Sequence, residues 1–247
     1  AIPAVKTAAR RLPPWVVEQP TPGADDLLAR GASNAASDVG EVSDAIRVLG
    51  GAVESRDRIV AAHLRRMAGI VGCLGDCYGL DAQRLDRLVI ASMLHDVGKI
   101  LLPDAVLKPD TARSHDDEVQ MQRHVILGFE LLSKARSATM QLAAEVALHH
   151  HERWDGSGYP HGRRGRQIPL SARILAVADV YDALISRRPY KEPMDHGTAV
   201  DHIVAGSGGH FDPDVVQALL ANQGTLQRIA QQWSDTPPDS LHPEELR

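Results

Sequence analysis

Val60-Ala61-Ala62-His63-Leu64-Arg65-Arg66-Met67-Ala68-Gly69-Ile70-Val71-Gly72-Cys73-Leu74 carries its large apolar residues on one helical face. Val60, Leu64, Met67, Val71 and Leu74 recur at spacings of three and four, so residues 53–78 are predicted to form one amphipathic helix. Gly79 is expected to end it. Asp81 can cap the next helix, in which Leu85, Leu88 and Val89 lead to Ser92 and then to His95-Asp96 near its end. On this reading the His-Asp pair lies on a helix. Beyond the loop from Pro103 to Pro109, a helix from about Asp117 to Lys134 carries His124, and Ser137 opens another that runs to His149, His150 and His151. After Pro169, the residues Ile174, Ala178, Tyr181 and Ile185 form a further helical face. Two shorter helices follow, the last with Asp212 as its cap and Pro213 at its first position. Strand-like alternation between hairpin turns is missing, so the fold class is all-α.

The chain has 247 residues, 43% of them apolar, enough for one sizeable core. Pro3, Pro13, Pro14, Pro20 and Pro22 make residues 1–37 an extended, proline-rich linker or arm. Residues 38–52 read as a linker or auxiliary helix, which would also suit a homodimer contact. Residues 53–232 form the main domain and residues 233–247, with Pro237, Pro238 and Pro243, a tail. A net charge of −5 excludes a general surface for duplex nucleic acid, which needs a basic face. There is no membrane span and no signal peptide, so a cytoplasmic protein is expected. Cys73 and Cys77 fit reduced thiols rather than a disulfide framework. The missing initiator methionine suggests a processed or excised piece that a sensory domain would precede.

Chemistry concentrates in His150-His151-Glu152-Arg153-Trp154-Asp155-Gly156-Ser157-Gly158-Tyr159-Pro160, where adjacent imidazoles leave a helix through a glycine-rich turn. Together with His63, His95, Asp96, His124 and Asp179, it supplies seven candidate ligands from five segments, a scatter that makes sense if a bundle points them at one centre. A lone histidine on an apolar helix face is usually an ordinary hydrogen-bonded residue; the joint pattern is what counts. Asp96 has two oxygens and is the natural bridge between two metals. Five neutral imidazoles and two carboxylates carry about −2 against +4 from two divalent ions, so the pocket would attract a phosphodiester. Mixed nitrogen and oxygen ligation favours iron or manganese, with nickel or cobalt as alternatives, over tetrahedral zinc or magnesium.

Leu94-His95-Asp96-Val97-Gly98-Lys99-Ile100, Pro103-Asp104, Lys108-Pro109, the run to Pro160, Ala178-Asp179-Val180-Tyr181-Asp182-Ala183-Leu184 and Arg188-Pro189-Tyr190-Lys191 occur in order. In these motifs the chain resembles the HD-GYP domain, the cyclic di-GMP phosphodiesterase branch of the HD superfamily of metal-dependent phosphohydrolases. The resemblance covers roughly residues 53–222. It implies an HD-superfamily helical bundle whose metal ligands are His63, His95, Asp96, His124, His150, His151 and Asp179. It also implies that Lys99 and Asp182 support catalysis, and that Lys99, Arg188 and Lys191 contact substrate phosphates. The loop Gly158-Tyr159-Pro160 would help to bind the guanine dinucleotide and offer a docking point for signalling partners. Members with a third metal carry glutamate where this chain has Ile59, which cannot ligate, so a two-metal site is expected.

The expected reaction is attack of a metal-bridging hydroxide on phosphorus, opening cyclic di-GMP to linear pGpG, with GMP as a possible later product. Lys99 would reach the phosphate and Asp182 would orient Lys99. The alternative function is a weakly active or inactive signalling module that binds nucleotide or protein partners. A third reading is an HD-type hydrolase acting on related nucleotides, against which the loop argues. His149 is expected to support the ligands or face solvent; His115, His161, His196, His202, His210 and His242 match no ligand position. Arg66 is read as a surface residue, paired with Asp57 or alone. Trp154 and Tyr159 either staple the loop or stack on a base.

Overall fold

Leu64, Met67, Val71 and Leu74 of the first stripe are buried as their spacing requires. In the computed structural model, which describes residues 60–107, 114–187 and 192–233, helix α1 (Val60–Asp76) sets Met67, Ile70, Val71 and Leu74 fully out of solvent. Each such side chain contributes roughly 1.5–3 kcal/mol of burial free energy. Gly79 follows with φ 66°, a backbone conformation that favours glycine. Asp81 then accepts the Arg84 amide at 2.8 Å and caps α2 (Ala82–Ser92).

The His95-Asp96 pair lies off the helix that its flanking pattern suggested. Helix α2 ends at Ser92 and a 3-10 helix spans Val97–Leu101, so the pair occupies the turn between them. The cause is a close approach. A Cβ on Gly98 would lie 1.9 Å from the His124 carbonyl oxygen and 2.6 Å from the Gly128 amide. The chain therefore turns where only glycine can pass against its neighbour's backbone, instead of continuing α2.

After the short α3 (Asp104–Leu107), the single helix expected from Asp117 to Lys134 is in fact two, α4 (His115–Gln122) and α5 (His124–Leu132). Arg123 is the last cap of one and the first of the other. Helix α4 buries nothing, whereas α5 buries His124, Val125, Gly128 and Leu132. Only the second segment has an apolar face that draws it inward, and the axis breaks where that face begins. Ser137 caps α6 (Ala138–His149) through the Met140 amide.

Helix α7 (Leu170–Ile185) buries Ile174, Leu175, Val177, Ala178 and Tyr181 and packs against α1, α6, α8 (His196–Ala205) and α9 (Pro213–Ala221). Asp195 caps α8, and Asp212 caps α9 with Pro213 opening it. A further helix, α10 (Gln223–Gln232), extends the two short helices expected after α7 and seats Leu226 and Ile229 in the core beside α1. Trp233, read as the first tail residue, belongs to this packing: its carbonyl accepts from Arg66 at 2.6 Å and its ring lies 4.7 Å under the Arg65 guanidinium. The architecture is all-α; among the described residues the only β pairing is an isolated bridge between Ser207 and Phe211. The segments 1–37 and 38–52, Ile59, Lys108, Pro109, Arg188, Lys191 and residues 234–247 lie outside the described residues.

Candidate metal centre

The start of α1, the turn before the 3-10 helix, the start of α5, the end of α6 and the middle of α7 bring the predicted ligands together. Asp96, His124, His150 and His151 form one group and His63, His95 and Asp179 another; within each, the ligand atoms lie within 4.8 Å of one another.

Hydrogen bonds on the far side of each ring decide what the histidines offer to the centre. Nδ1 of His95 donates to the Ser92 carbonyl at 2.6 Å, Nδ1 of His124 to the Met121 carbonyl at 2.6 Å, and Nδ1 of His150 to the Ala147 carbonyl at 2.9 Å. Nδ1 of His63 donates to Asp182 Oδ2 at 2.7 Å. A carbonyl or carboxylate oxygen accepts only, so a proton sits on Nδ1 and Nε2 is the atom each ring turns inward. The Nε2 atoms of His124 and His150 then face each other at 3.3 Å. Two lone pairs at that separation repel unless something electron-poor lies between them.

Asp96 reaches both groups. Its Oδ1 lies 3.3 Å from His124 Nε2 and 3.7 Å from His150 Nε2; its Oδ2 lies 3.4 Å from His95 Nε2 and pairs with the Lys99 ammonium. Oδ1 is buried without a hydrogen-bond partner. Such an oxygen costs free energy unless a partner satisfies it. An orphaned carboxylate oxygen facing two imidazole lone pairs fits a divalent cation, and the residues present therefore fit the metal role.

Burial pushes Asp96 toward protonation, but Lys99 and His95 outweigh it and hold the carboxyl well below its usual range. Burial likewise lowers His95, yet the Asp96 and Asp179 carboxylates carry its pKa up to about 9. His124 is lowered to about 4, chiefly by burial against the attraction of Asp96. His151 is lowered by burial and by the neighbouring His150. A bound cation would replace the proton on His95.

The contacts described for Asp182 run to His63, Arg66 and Ser186. Its carboxylate is buried and accepts from His63, from Arg66 Nε at 2.5 Å and from Ser186 Oγ at 3.1 Å. Although burial raises its pKa, the bonds from His63 and Arg66 outweigh that and lower it. Arg66 is 1% exposed, not a surface residue, and also donates to Ser186 Oγ at 2.6 Å. The pattern reading missed it because it flanks the apolar stripe. The available signal was its position three residues after His63, on the neighbouring helical face.

The loop after α6 is shaped by glycine. Gly156 has φ 83°, and a Cβ on Gly158 would lie 2.3 Å from the Arg153 amide nitrogen and 2.5 Å from the His151 carbonyl. The loop is tied down on two sides. Trp154 and Asp155 donate their amides to the His210 and Gly209 carbonyls at 3.0 and 2.9 Å, and Glu152 accepts the His161 and Arg163 amides, both at 2.9 Å. Tyr159 precedes a cis peptide bond to Pro160, and its ring stacks on His151 with centroids 4.9 Å apart. Trp154 lies 5.9 Å from the Arg173 guanidinium, which pairs with Asp212. His149 is buried, and with Glu152 and His161 forms a third group of possible ligands. Burial, with Arg163 and His161 nearby, lowers His149 to about 4.

Residues 47–215 match the HD domain family. The chain is 44% identical over 183 residues to the cyclic di-GMP phosphodiesterase response regulator RpfG of Xanthomonas campestris pv. campestris, covering 74% of this chain and 48% of that protein. It is 42% identical over 172 residues to the 3'3'-cGAMP-specific phosphodiesterase 2 of Vibrio cholerae, covering 70% of this chain and 33% of the relative. The chain thus spans half or less of the length of these relatives. A solved structure of the cyclic GMP-AMP specific phosphodiesterase V-cGAP3 of V. cholerae shares the fold, with a TM-score of 0.56 and 22% identity over 79% of this chain and 54% of that one. By these matches, and by the ordered motifs from His95 to Asp182, the chain belongs to the HD domain family and carries its HD-GYP pattern.

Proposed function

We propose that this chain hydrolyses cyclic di-GMP to linear pGpG at a centre of two divalent transition-metal ions, iron or manganese foremost. The observation that supports the reading best is Asp96, whose two oxygens face the two ligand groups while one of them has no partner. His63, His95 and Asp179 would hold one ion; His124, His150 and His151 the other; Asp96 both. When bound, such ions supply a water activated for attack and neutralise the charge that develops on phosphorus.

The chain's own residues do the rest. The Nδ1 hydrogen bonds of His63, His95, His124 and His150 fix those four rings for binding, and the Tyr159 ring stacks on the fifth, His151. Lys99, about one-third exposed, pairs through Nζ with Asp96 and can turn an N–H to a phosphate oxygen. Asp182 holds the His63 ring and Arg66 holds Asp182, so both act through His63 as positioning residues. Gly158, Tyr159 and Pro160 border the centre through the Tyr159 contact with His151 and would form a wall of the nucleotide site. Arg188 and Lys191 would grip the phosphates; Arg188 suits this through its planar fork. The free thiols Cys73 and Cys77 suit a reducing, cytoplasmic setting, and no described helix is long and apolar enough to cross a membrane.

The two curated relatives differ in nucleotide by name at nearly equal identity, 44% and 42%, so overall similarity does not choose the base. The test is incubation of manganese- or iron-loaded protein with cyclic di-GMP, 3'3'-cGAMP and cyclic di-AMP, followed by chromatography. We expect pGpG from the first. Preferential opening of 3'3'-cGAMP would replace the substrate and keep the reaction, whereas nucleotide binding without product would leave only a signalling module.

A further inference from the structure

Beside the centre, but turned away from it, lies a second meeting of ligand atoms. His149 closes α6, Glu152 follows in the turn, and His161 comes directly after Gly158-Tyr159-Pro160. His149 Nδ1 lies 3.8 Å from Glu152 Oε1, and His161 Nδ1 lies 3.9 Å from the same oxygen. The two rings have centroids 5.5 Å apart, and the three ligand atoms fall within 4.8 Å of one another. We propose that His149, Glu152 and His161 form a separate divalent-cation site, of the chemistry that zinc prefers, which staples the loop carrying Tyr159 to the end of α6.

Three observations carry this. His149 Nδ1 is buried with no hydrogen-bond partner, in a residue only 4% exposed. At 3.8 Å it is too far from Glu152 for a direct hydrogen bond. Two atoms each about 2 Å from one tetrahedral ion stand roughly 3.3 Å apart, so closure by roughly 0.5 Å would let these atoms share an ion. Next, the Glu152 side chain is fully buried, and a buried carboxylate needs compensation. Its two backbone amide bonds orient it and leave lone pairs unused. Finally, His161 is half exposed, which gives the ion a way in and leaves room for water as a fourth ligand. Two imidazoles and one carboxylate with an open position are a set that zinc accepts, distinct from the ligand-rich groups around Asp96.

The site would shut a loop from Glu152 to His161 that contains Gly158, Tyr159 and Pro160. Occupancy would thus steady the Tyr159 ring against His151. This inference does not depend on the hydrolytic reading, and its test uses no nucleotide.

The experiment is equilibrium dialysis of the full chain against zinc, with bound metal counted by mass spectrometry. The wild type is compared with His161→Ala, with His161→Cys, and with His115→Ala as an exposed-histidine control. We expect His161→Ala to bind one equivalent fewer than the wild type, His161→Cys to recover it, and His115→Ala to match the wild type. Limited proteolysis of the loop should slow with zinc in the wild type and not in His161→Ala. Because His161 is half exposed, its replacement leaves the core intact, and a melting curve without metal checks that. Equal zinc counts in the wild type and His161→Ala would overturn the proposal and reduce His149 and Glu152 to a polar staple.

Discussion

The two halves of the centre are held in different ways. On the α5 and α6 side, His124 and His150 are oriented by backbone carbonyls of their own helical neighbourhood, Met121 and Ala147. On the α1 and α7 side, His63 is oriented by a side chain, Asp182, which Arg66 and Ser186 hold in turn. Carbonyl oxygens belong to every residue, so the first half should tolerate side-chain changes around it. The second half also holds His95 by a backbone carbonyl, that of Ser92, but at His63 it depends on particular residues and should weaken through any one of them.

Asp96 spans both halves, and its loss should be the largest effect. Asp96→Ala is expected to abolish stable uptake of both ions and to bring hydrolysis to background, measured as metal content and product formed. Uptake and turnover at wild-type levels would remove it from the central role.

Breaking the side-chain half should cost less metal binding but more stability. Arg66→Met leaves Asp182 buried with one strong donor fewer, and breaking such a buried pair typically costs about 3–5 kcal/mol. Metal affinity should fall roughly 10–100-fold, the range usual for partners that orient ligands. Asp182→Asn should do the same to affinity by freeing the His63 tautomer. Urea melts and metal titrations check both; unchanged affinity in both variants would erase the asymmetry.

The backbone half should yield only to changes that move the backbone itself. Gly98→Ala sets a methyl group against the His124 carbonyl, and destabilisation of at least about 1–3 kcal/mol is expected, with weaker metal binding because α5 must shift. By contrast Met121→Ala changes the side chain of the residue whose carbonyl orients His124 and leaves that carbonyl in place. Its metal affinity should stay at the wild-type value and its stability should change by about 1 kcal/mol or less. A Met121→Ala variant that loses metal as Arg66→Met does would contradict the distinction.

This asymmetry also explains which parts the residue pattern disclosed. Helical periodicity exposed α1, α6 and α7, and the caps at Asp81, Ser137 and Asp212 placed three helix starts, because these features are local. All seven predicted ligands fall into the two groups that the fold assembles. The turn that carries His95 and Asp96 was hidden: its cause is contact between Gly98 and α5, residues distant in the chain. The break at Arg123 depends on what α5 finds to bury and α4 does not. Arg66 looked like a surface cation because its partners lie more than 100 positions away, at Asp182 and Ser186. His149 and His161 fit no family ligand position, and only the folded loop brings them to Glu152.

The most direct test combines occupancy with turnover on one sample. Protein reconstituted anaerobically with iron, or with manganese, is assayed for bound metal and then given cyclic di-GMP in a single-turnover reaction. Two ions per chain with conversion of the cyclic dinucleotide to pGpG is the predicted result. Two ions per chain with the dinucleotide ring left closed would contradict it.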